Sequence, residues 1–370
     1  MVLGVAVWYL YHEAGHYYSI SPGSAPLVTA NPTCKAKGGG SLSLPGGKPC
    51  VLLVVPVDQA HPVKGQIHMV DVLVGPTSPG DYLLSRLGLL HRFRNGTVLV
   101  PSSAILGSTP PDQVSCQGGQ QMVDATSAAS VVAFKTLGYP VAEHDLGVLV
   151  IQVQPGSPAA TAGVQCNDLI IAVNGTKVQT AGELVVKIRA LHPGDTVRLT
   201  VERQSGNGSK TLELTAKLSG TPAEGGSPAN PQRAYLGIAT ETKSTYTFPF
   251  PVSIQVGPID GPSGGLALTL GLLDTLSQGQ ITGGLAIAAT GTMDVDGNVG
   301  DVGGVAQKAV AVRDAGAKVF FVPPQELAAA KSQAGSMKVY AVSTLHQALV
   351  DLQALGGEIP PGALVRSESA

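Results

Sequence analysis

The sequence predicts an α+β fold in several parts, and three observations carry that prediction. At 370 residues the chain exceeds what one hydrophobic core organises. Short β-branched runs alternate along it with segments whose apolar residues recur at helical spacing. Stretches rich in Pro, Gly and Ser, 21–50 and 221–233, read as linkers. The parts expected are a clipped membrane anchor with linker over 1–30, an α+β region over 31–140, a small partly open β-barrel over 141–220, and an α/β domain over 232–355.

Composition narrows the function classes. Hydrophobic residues make up 44% and charged residues 13%, with 47 Gly and 27 Pro, which fits a well-buried globular protein rich in tight turns. The net charge of −2 and the lack of any long Lys/Arg run argue against nucleic acid as a partner. Cys34, Cys50, Cys116 and Cys166 show no CxxC spacing, which argues against structural zinc. Cys34 and Cys50 flank a Gly-rich stretch; they either close a loop as a disulfide in an oxidising compartment or are two of four unrelated thiols.

The first ten residues, MVLGVAVWYL, are apolar but fall short of the ~20 that span a bilayer, and no basic segment precedes them. They look like the last half of an anchor. The expectation is a chain tethered to the cell membrane on its extracytoplasmic face. Beyond this, 51–57 and 67–74 read as strands, and Asn95-Gly96 reads as a hairpin turn between 91–94 and 97–100. Residues 112–121 look turn-like, and 122–137 forms a helical pattern stopped by Gly138-Tyr139-Pro140.

From 141 to 220 the pattern sharpens. Residues 146–153 and 168–173 are strand-like, and Thr180-x-x-Glu183 is a capping box opening a helix over 184–191. Leu184, Val185 and Ile188 share one face of it. Val197, Leu199 and Val201 alternate ahead of a turn at 205–208. The stretch GVLVIQVQPGSPAATAGVQCNDLIIAVNGTKV (147–178) resembles the PDZ domains of bacterial proteases. That resemblance implies an edge at Leu146, Gly147 and Val148 that receives an extended peptide, with Leu184 and Ile188 lining the groove. The competing reading is that this edge pairs with another part of the same protein.

The chemistry lies further on. Gly261-Pro262-Ser263-Gly264-Gly265 sets a serine on a turn opening an apolar helix over 266–276, where outward backbone N–H groups favour developing negative charge. By itself this pattern fits an ordinary turn or capping serine. In Gly303–Arg313, helical spacing puts Lys308 on the apolar face with Val305, Ala309 and Val312. Burial there lowers a lysine's pKa, and a neutral amine can take a proton from a serine hydroxyl. A lone lysine more often snorkels to water; paired with the glycine-set serine, the catalytic reading wins.

DGPSGG (260–265), ATG (289–291) and GGVAQKAVAVRDAG (303–316) together resemble the Lon-type peptidase domain. The resemblance covers roughly 232–355. It implies Ser263 as nucleophile, Lys308 as the dyad lysine, Thr290 orienting its amine, and Asp260 as a supporting motif residue. Gly264 departs from the alanine more usual in that family. A PDZ module ahead of a Lon-like domain resembles the PDZ-bearing, membrane-anchored Lon-like proteases of bacteria, peptidase family S16. No G-x-x-x-x-G-K-[ST] loop occurs, so no AAA+ module and no ATP are expected within this chain.

Two rival sites compete with this reading. Gly261-x-Ser263-x-Gly265 also fits a nucleophile elbow, with Asp301 or Asp314 and His346 completing a triad. His12-Glu13-Ala14-Gly15-His16 satisfies H-E-x-x-H, but no third ligand is evident, and a chance or juxtamembrane polar segment accounts for it better. The expected activity is therefore an ATP-independent serine endopeptidase with no cofactor and no metal. Its substrates would be peptides, loops or unfolded segments, membrane or envelope proteins among them. The alternative is a non-catalytic PDZ scaffold. A homo-oligomeric assembly stays open.

Overall fold

A computed structural model describes residues 2–30, 34–36, 42–107, 111–205, 208–223, 229–277 and 280–364. Helix and strand are mixed throughout, as expected. The chain divides into two compact units. The first joins Met1–Pro110, Gln121–Val141 and Phe248–Ala370; the second comprises Pro111–Gln120 and Ala142–Thr247.

The centre of the first unit is a seven-stranded sheet. Its spatial order is Ser253–Gln255, Cys50–Val54, Leu27–Thr29, Gln66–His68, Ala286–Ala289, Val319–Val322 and Lys338–Ala341. The last four strands pair in parallel, and the short apolar runs Ile287–Ala289 and Val319–Val322 are buried throughout, as fits strands covered on both faces. Three of the seven strands come from before residue 70. The expected separate region over 31–140 therefore does not stand alone: its strands complete the sheet that carries the C-terminal elements.

Other expectations about the N-terminal third also change. No described helix is long and apolar enough to cross a membrane, which overturns the expected anchor. The apolar helix Val2–Ala14 stops, and Tyr17–Pro22 becomes the middle strand of a three-stranded sheet between Val72–Pro76 and Val98–Pro101. The stretch expected as linker holds the strand Leu27–Thr29 and the Cys34–Cys50 disulfide, so the loop-closing alternative for those cysteines is the one found. Asn95-Gly96 makes no hairpin. A short helix, Leu90–Phe93, precedes it, and Val98–Pro101 pairs with Tyr17–Pro22 instead. The turn-like stretch 112–121 is the start of one long helix, Pro111–Thr136.

Helix Gly265–Leu276 is buried along its whole length, which explains a sequence with almost no polar face. Leu266, Leu270 and Leu273 pack in a core with Val51, Leu53, Ile67 and Ile287. On the other side of the sheet, helix Val305–Asp314 packs Val305, Ala309 and Val312 with Val70, Ala288 and Phe320. Gln307 ties this helix to the N-terminal segment by donating to the Gly96 carbonyl at 2.9 Å. Phe134, fully buried, packs its ring against the tilted rings of Tyr139, Phe248 and Phe250, pinning together the two chain segments that flank Ala142–Thr247.

The second unit is built on a sheet ordered Gly208–Lys217, Thr196–Ser205, Leu169–Val173, Ala142–Val153 and Ile238–Thr247, with helix Ala181–Arg189. Inward residues Val148, Val150, Ile170, Leu199, Val201, Leu184 and Ile188 form its own core. Thr180 caps the helix as expected, accepting from the Glu183 N–H at 3.2 Å, while Glu183 reaches back to the Gln179 N–H at 2.8 Å. Asp168, fully buried, is held by two hydrogen bonds from Arg203 at 2.6 and 2.7 Å. A second disulfide, Cys116–Cys166, lies within this unit, and no described cysteine is free.

Candidate active site and peptide groove

Ser263 sits in a single 3₁₀ turn, Pro262–Gly264, that runs straight into helix Gly265–Leu276. The glycines behind it answer to close neighbours. A Cβ on Gly265 would lie 2.7 Å from the Met293 nitrogen, and one on Gly264 would lie 2.5 Å from Met69 Sδ. The glycine at 264 is thus matched by a fully buried methionine occupying the space an alanine methyl would need.

Lys308 comes from the opposite side of the sheet and is only 2% exposed. Its Nζ donates to Thr290 Oγ1 at 3.1 Å, and Thr290 Oγ1 in turn donates to the Ser263 carbonyl at 3.1 Å. The same carbonyl accepts from the Gly291 N–H at 3.0 Å. Thr290, fully buried at the end of strand Ala286–Ala289, therefore links the lysine amine to the serine's backbone. Among the described residues no hydrogen bond joins Lys308 Nζ directly to Ser263 Oγ. Such bonds often tighten only once substrate is present.

Burial lowers the Lys308 pKa to about 8, against a smaller opposing pull from the carboxylates of Asp71 and Glu326. Asp71 is itself fixed by the N–H and Oγ of Ser24, both at 2.6 Å. Sequence reasoning missed Asp71 and Ser24, since nothing in their spacing points to a lysine more than 230 residues away. Asp260, by contrast, is exposed and among the described residues bonds neither Ser263 nor Lys308.

The rival sites do not assemble. Asp301 and Asp314 are exposed, His346 lies on helix Leu345–Ala354, and among the described residues none of them bonds Ser263. Helix Val2–Ala14 ends before His16, so the H-E-x-x-H residues do not share one helix face. The His12 and His16 rings lie 5.0 Å apart, and among the described residues no three His, Cys, Asp or Glu side chains gather as a metal site.

The expected peptide-accepting edge is also corrected. Leu146, Gly147 and Val148 lie in Ala142–Val153, which is already paired on both sides. Val148 is opposite Ile170 in one neighbour and Thr242 in the other, with Gly147 opposite Lys243. The strand pairs within the chain, and on this side the sheet ends at Ile238–Thr247, which the sequence pattern does not single out, with Gly208–Lys217 at the other edge. Leu184 and Ile188 line a groove. Between them and residues 235–240 lies a pocket of about 650 Å³. Ala181 N–H donates to Thr242 Oγ1 at 3.0 Å, fixing one end of the helix to the strand. At the other end, Leu236 and Gly237 are buried between strands, and among the described residues their N–H groups donate no hydrogen bond.

Comparison with known proteins accounts for both arrangements. A PDZ-domain family matches residues 119–218, and the Lon protease (S16) C-terminal proteolytic domain matches residues 190–352. The chain carries a PDZ domain and a Lon-type serine proteolytic domain. A probable periplasmic DegP-like serine endoprotease of Brucella suis is 32% identical over 103 residues, 28% of this chain and 19% of that protein. A putative serine protease HhoB of Synechocystis is 42% identical over 59 residues, 16% of this chain and 14% of that protein. The chain thus spans under a fifth of these relatives' own length. A solved PDZ domain of an SdrC-like protein from Listeria monocytogenes is 25% identical, covering 26% of this chain and 88% of that one at a TM-score of 0.20.

Proposed function

We propose that the chain is an ATP-independent serine endopeptidase in which Ser263 is the nucleophile and Lys308 its general base. The observation that carries this reading is a buried lysine, held by Thr290 beside the serine's backbone, with its pKa lowered to about 8. A neutral amine there takes the Ser263 hydroxyl proton as Oγ attacks the scissile carbonyl. The ammonium so formed then gives that proton to the departing amine, leaving an acyl-serine. Water, deprotonated in turn by Lys308, hydrolyses the ester and restores the serine. N–H groups at the start of helix Gly265–Leu276 supply positive potential for the oxyanion.

The PDZ groove then serves as a receptor for an extended polypeptide. The outer edge of Ile238–Thr247 offers main-chain pairing, the Leu184, Ile188 and Leu236 side chains take an apolar anchor, and the Leu236 and Gly237 N–H groups suit a terminal carboxylate. With no phosphate loop in this chain to drive unfolding, docking beside the protease raises the local concentration of substrate. Two disulfides engaging all four cysteines support a location in an oxidising, extracytoplasmic compartment.

The deciding experiment is peptide and unfolded-protein cleavage by the full chain without ATP. Ser263→Ala and Lys308→Ala each remove nearly all activity while His346→Ala retains it, and wild-type activity rises through about pH 8 as Lys308 loses its proton. Full activity in Lys308→Ala would refute the dyad.

A further inference from the structure

The pocket between helix Ala181–Arg189 and the edge strand is apolar inside and basic at its rim. Leu184, Ile188 and Leu236 are buried within it, and the charged side chains lining it are Arg189 and Arg233. Both arginines are exposed, and among the described residues neither guanidinium has an ion-pair or hydrogen-bond partner. Among the described residues no carboxylate lines the pocket. The acidic side chains on the same two elements are placed elsewhere. Glu183 caps the far end of the helix on the Gln179 N–H at 2.8 Å, and Glu241 alternates onto the face of its strand opposite Thr240 and Thr242.

Arg189 is on the last turn of its helix, the end away from the Ala181–Thr242 contact, and Arg233 lies three residues before Leu236. Two cations therefore flank the end of the groove where the Leu236 and Gly237 N–H groups are unpaired. A basic chain end brought there meets like charge, and an acidic one meets two rigid, permanently charged forks suited to carboxylates.

We propose that this groove selects acidic polypeptide ends, an apolar terminal residue preceded by aspartate or glutamate, with Arg189 and Arg233 as its specificity-determining residues. This rests on the reading of the groove as a peptide site. The discrimination is electrostatic and solvent-exposed, so it weakens as salt is added.

The test is fluorescence anisotropy on the full chain carrying Ser263→Ala, so that probes stay intact. Three dye-labelled peptides share a C-terminal valine with a free carboxylate and differ only in having aspartates, asparagines or lysines just before it. The aspartate probe is expected to bind about tenfold more tightly than the lysine probe at low salt, from two exposed charge contacts. The gap shrinks at high salt, and Arg189→Glu with Arg233→Glu inverts the order. Circular dichroism confirms that these surface variants fold. Equal binding of all three probes, still abolished by Ile188→Asp, overturns the acidic selectivity and leaves the groove standing. No binding of any probe overturns both.

Discussion

Replacing Lys308 by methionine should make the protein more stable at neutral pH while abolishing its activity. The side chain is 2% exposed and its pKa falls from 10.5 to about 8 on burial. At about 1.4 kcal/mol per pH unit this is a penalty of about 3 kcal/mol for holding the ammonium in the folded protein at pH 7. Methionine fills a similar volume without charge. It forfeits one hydrogen bond to Thr290, about 1 kcal/mol, while Thr290 keeps its own bond to the Ser263 carbonyl. The expected net gain at pH 7 is thus about 2 kcal/mol. Because the folded pKa lies below the unfolded one, the penalty is complete below about pH 8 and disappears as pH rises toward 10.5. Wild type should gain on the variant across that window. Guanidinium denaturation of both proteins at steps from pH 7 to 10 measures it. A pH-independent difference, or a variant less stable at pH 7, would refute the assignment of a desolvated amine at this position.

Three further outcomes follow from the same unit-by-unit reading. Asp274 is 2% exposed with its pKa raised by burial to about 6, so the native state loses stability as pH rises from about 4 to 6; Asp274→Asn should remove that slope, with up to about 3 kcal/mol between them at pH 7, read by denaturation at both ends of the window. Gly264→Ala should cost about 1–3 kcal/mol by overpacking against Met69 Sδ, and Met69→Ala should recover part of it in the double variant; additive losses would sink the proposed fit. Removing Cys116–Cys166 by serine substitution opens a closure of 50 residues worth at most about 4 kcal/mol, which a drop in Tm would reveal; an unchanged Tm would mean the bridge does not constrain the unfolded chain.

Much of the candidate site was legible because its determinants are local. A serine between glycines ahead of an all-apolar helix, and a lysine at an apolar helical position, each state their environment within a single turn. The PDZ core was legible for the same reason, down to the capping pair Thr180 and Glu183. What failed depended on pairing across long separations. Strands Cys50–Val54 and Gln66–His68 read nearly correctly as short apolar runs, but each has a partner over 180 residues away, at Ser253–Gln255 and Ala286–Ala289, and Leu27–Thr29, which lies between them in the sheet, is hidden in a stretch that reads as linker. A run of three to five residues carries no information about which edge it joins. The Leu146–Val148 edge failed likewise, because its partner strand, Ile238–Thr247, has Glu, Lys, Ser and Thr along it and lies just past a stretch that looks like linker. One clue was present: 52–54, 66–68 and 72–76 had apolar faces with too little chain of their own to cover them.

The chain order of the sheet gives the insertion a physical logic. The larger segment of the second unit, Ala142–Thr247, interrupts the first between Val141 and Phe248, and at that boundary Ala142 is paired directly with Thr247. Chain leaving and returning are thus held side by side by backbone pairing, and within the first unit Phe134 packs the flanking Tyr139, Phe248 and Phe250 into one cluster. An insertion whose ends already meet adds little closure entropy to its host, so a whole peptide-binding domain can be accommodated inside a protease domain at small cost in stability. The same continuity places the groove's edge strand, Ile238–Thr247, immediately ahead of the segment that passes through Ser253–Gln255 and ends at Ser263.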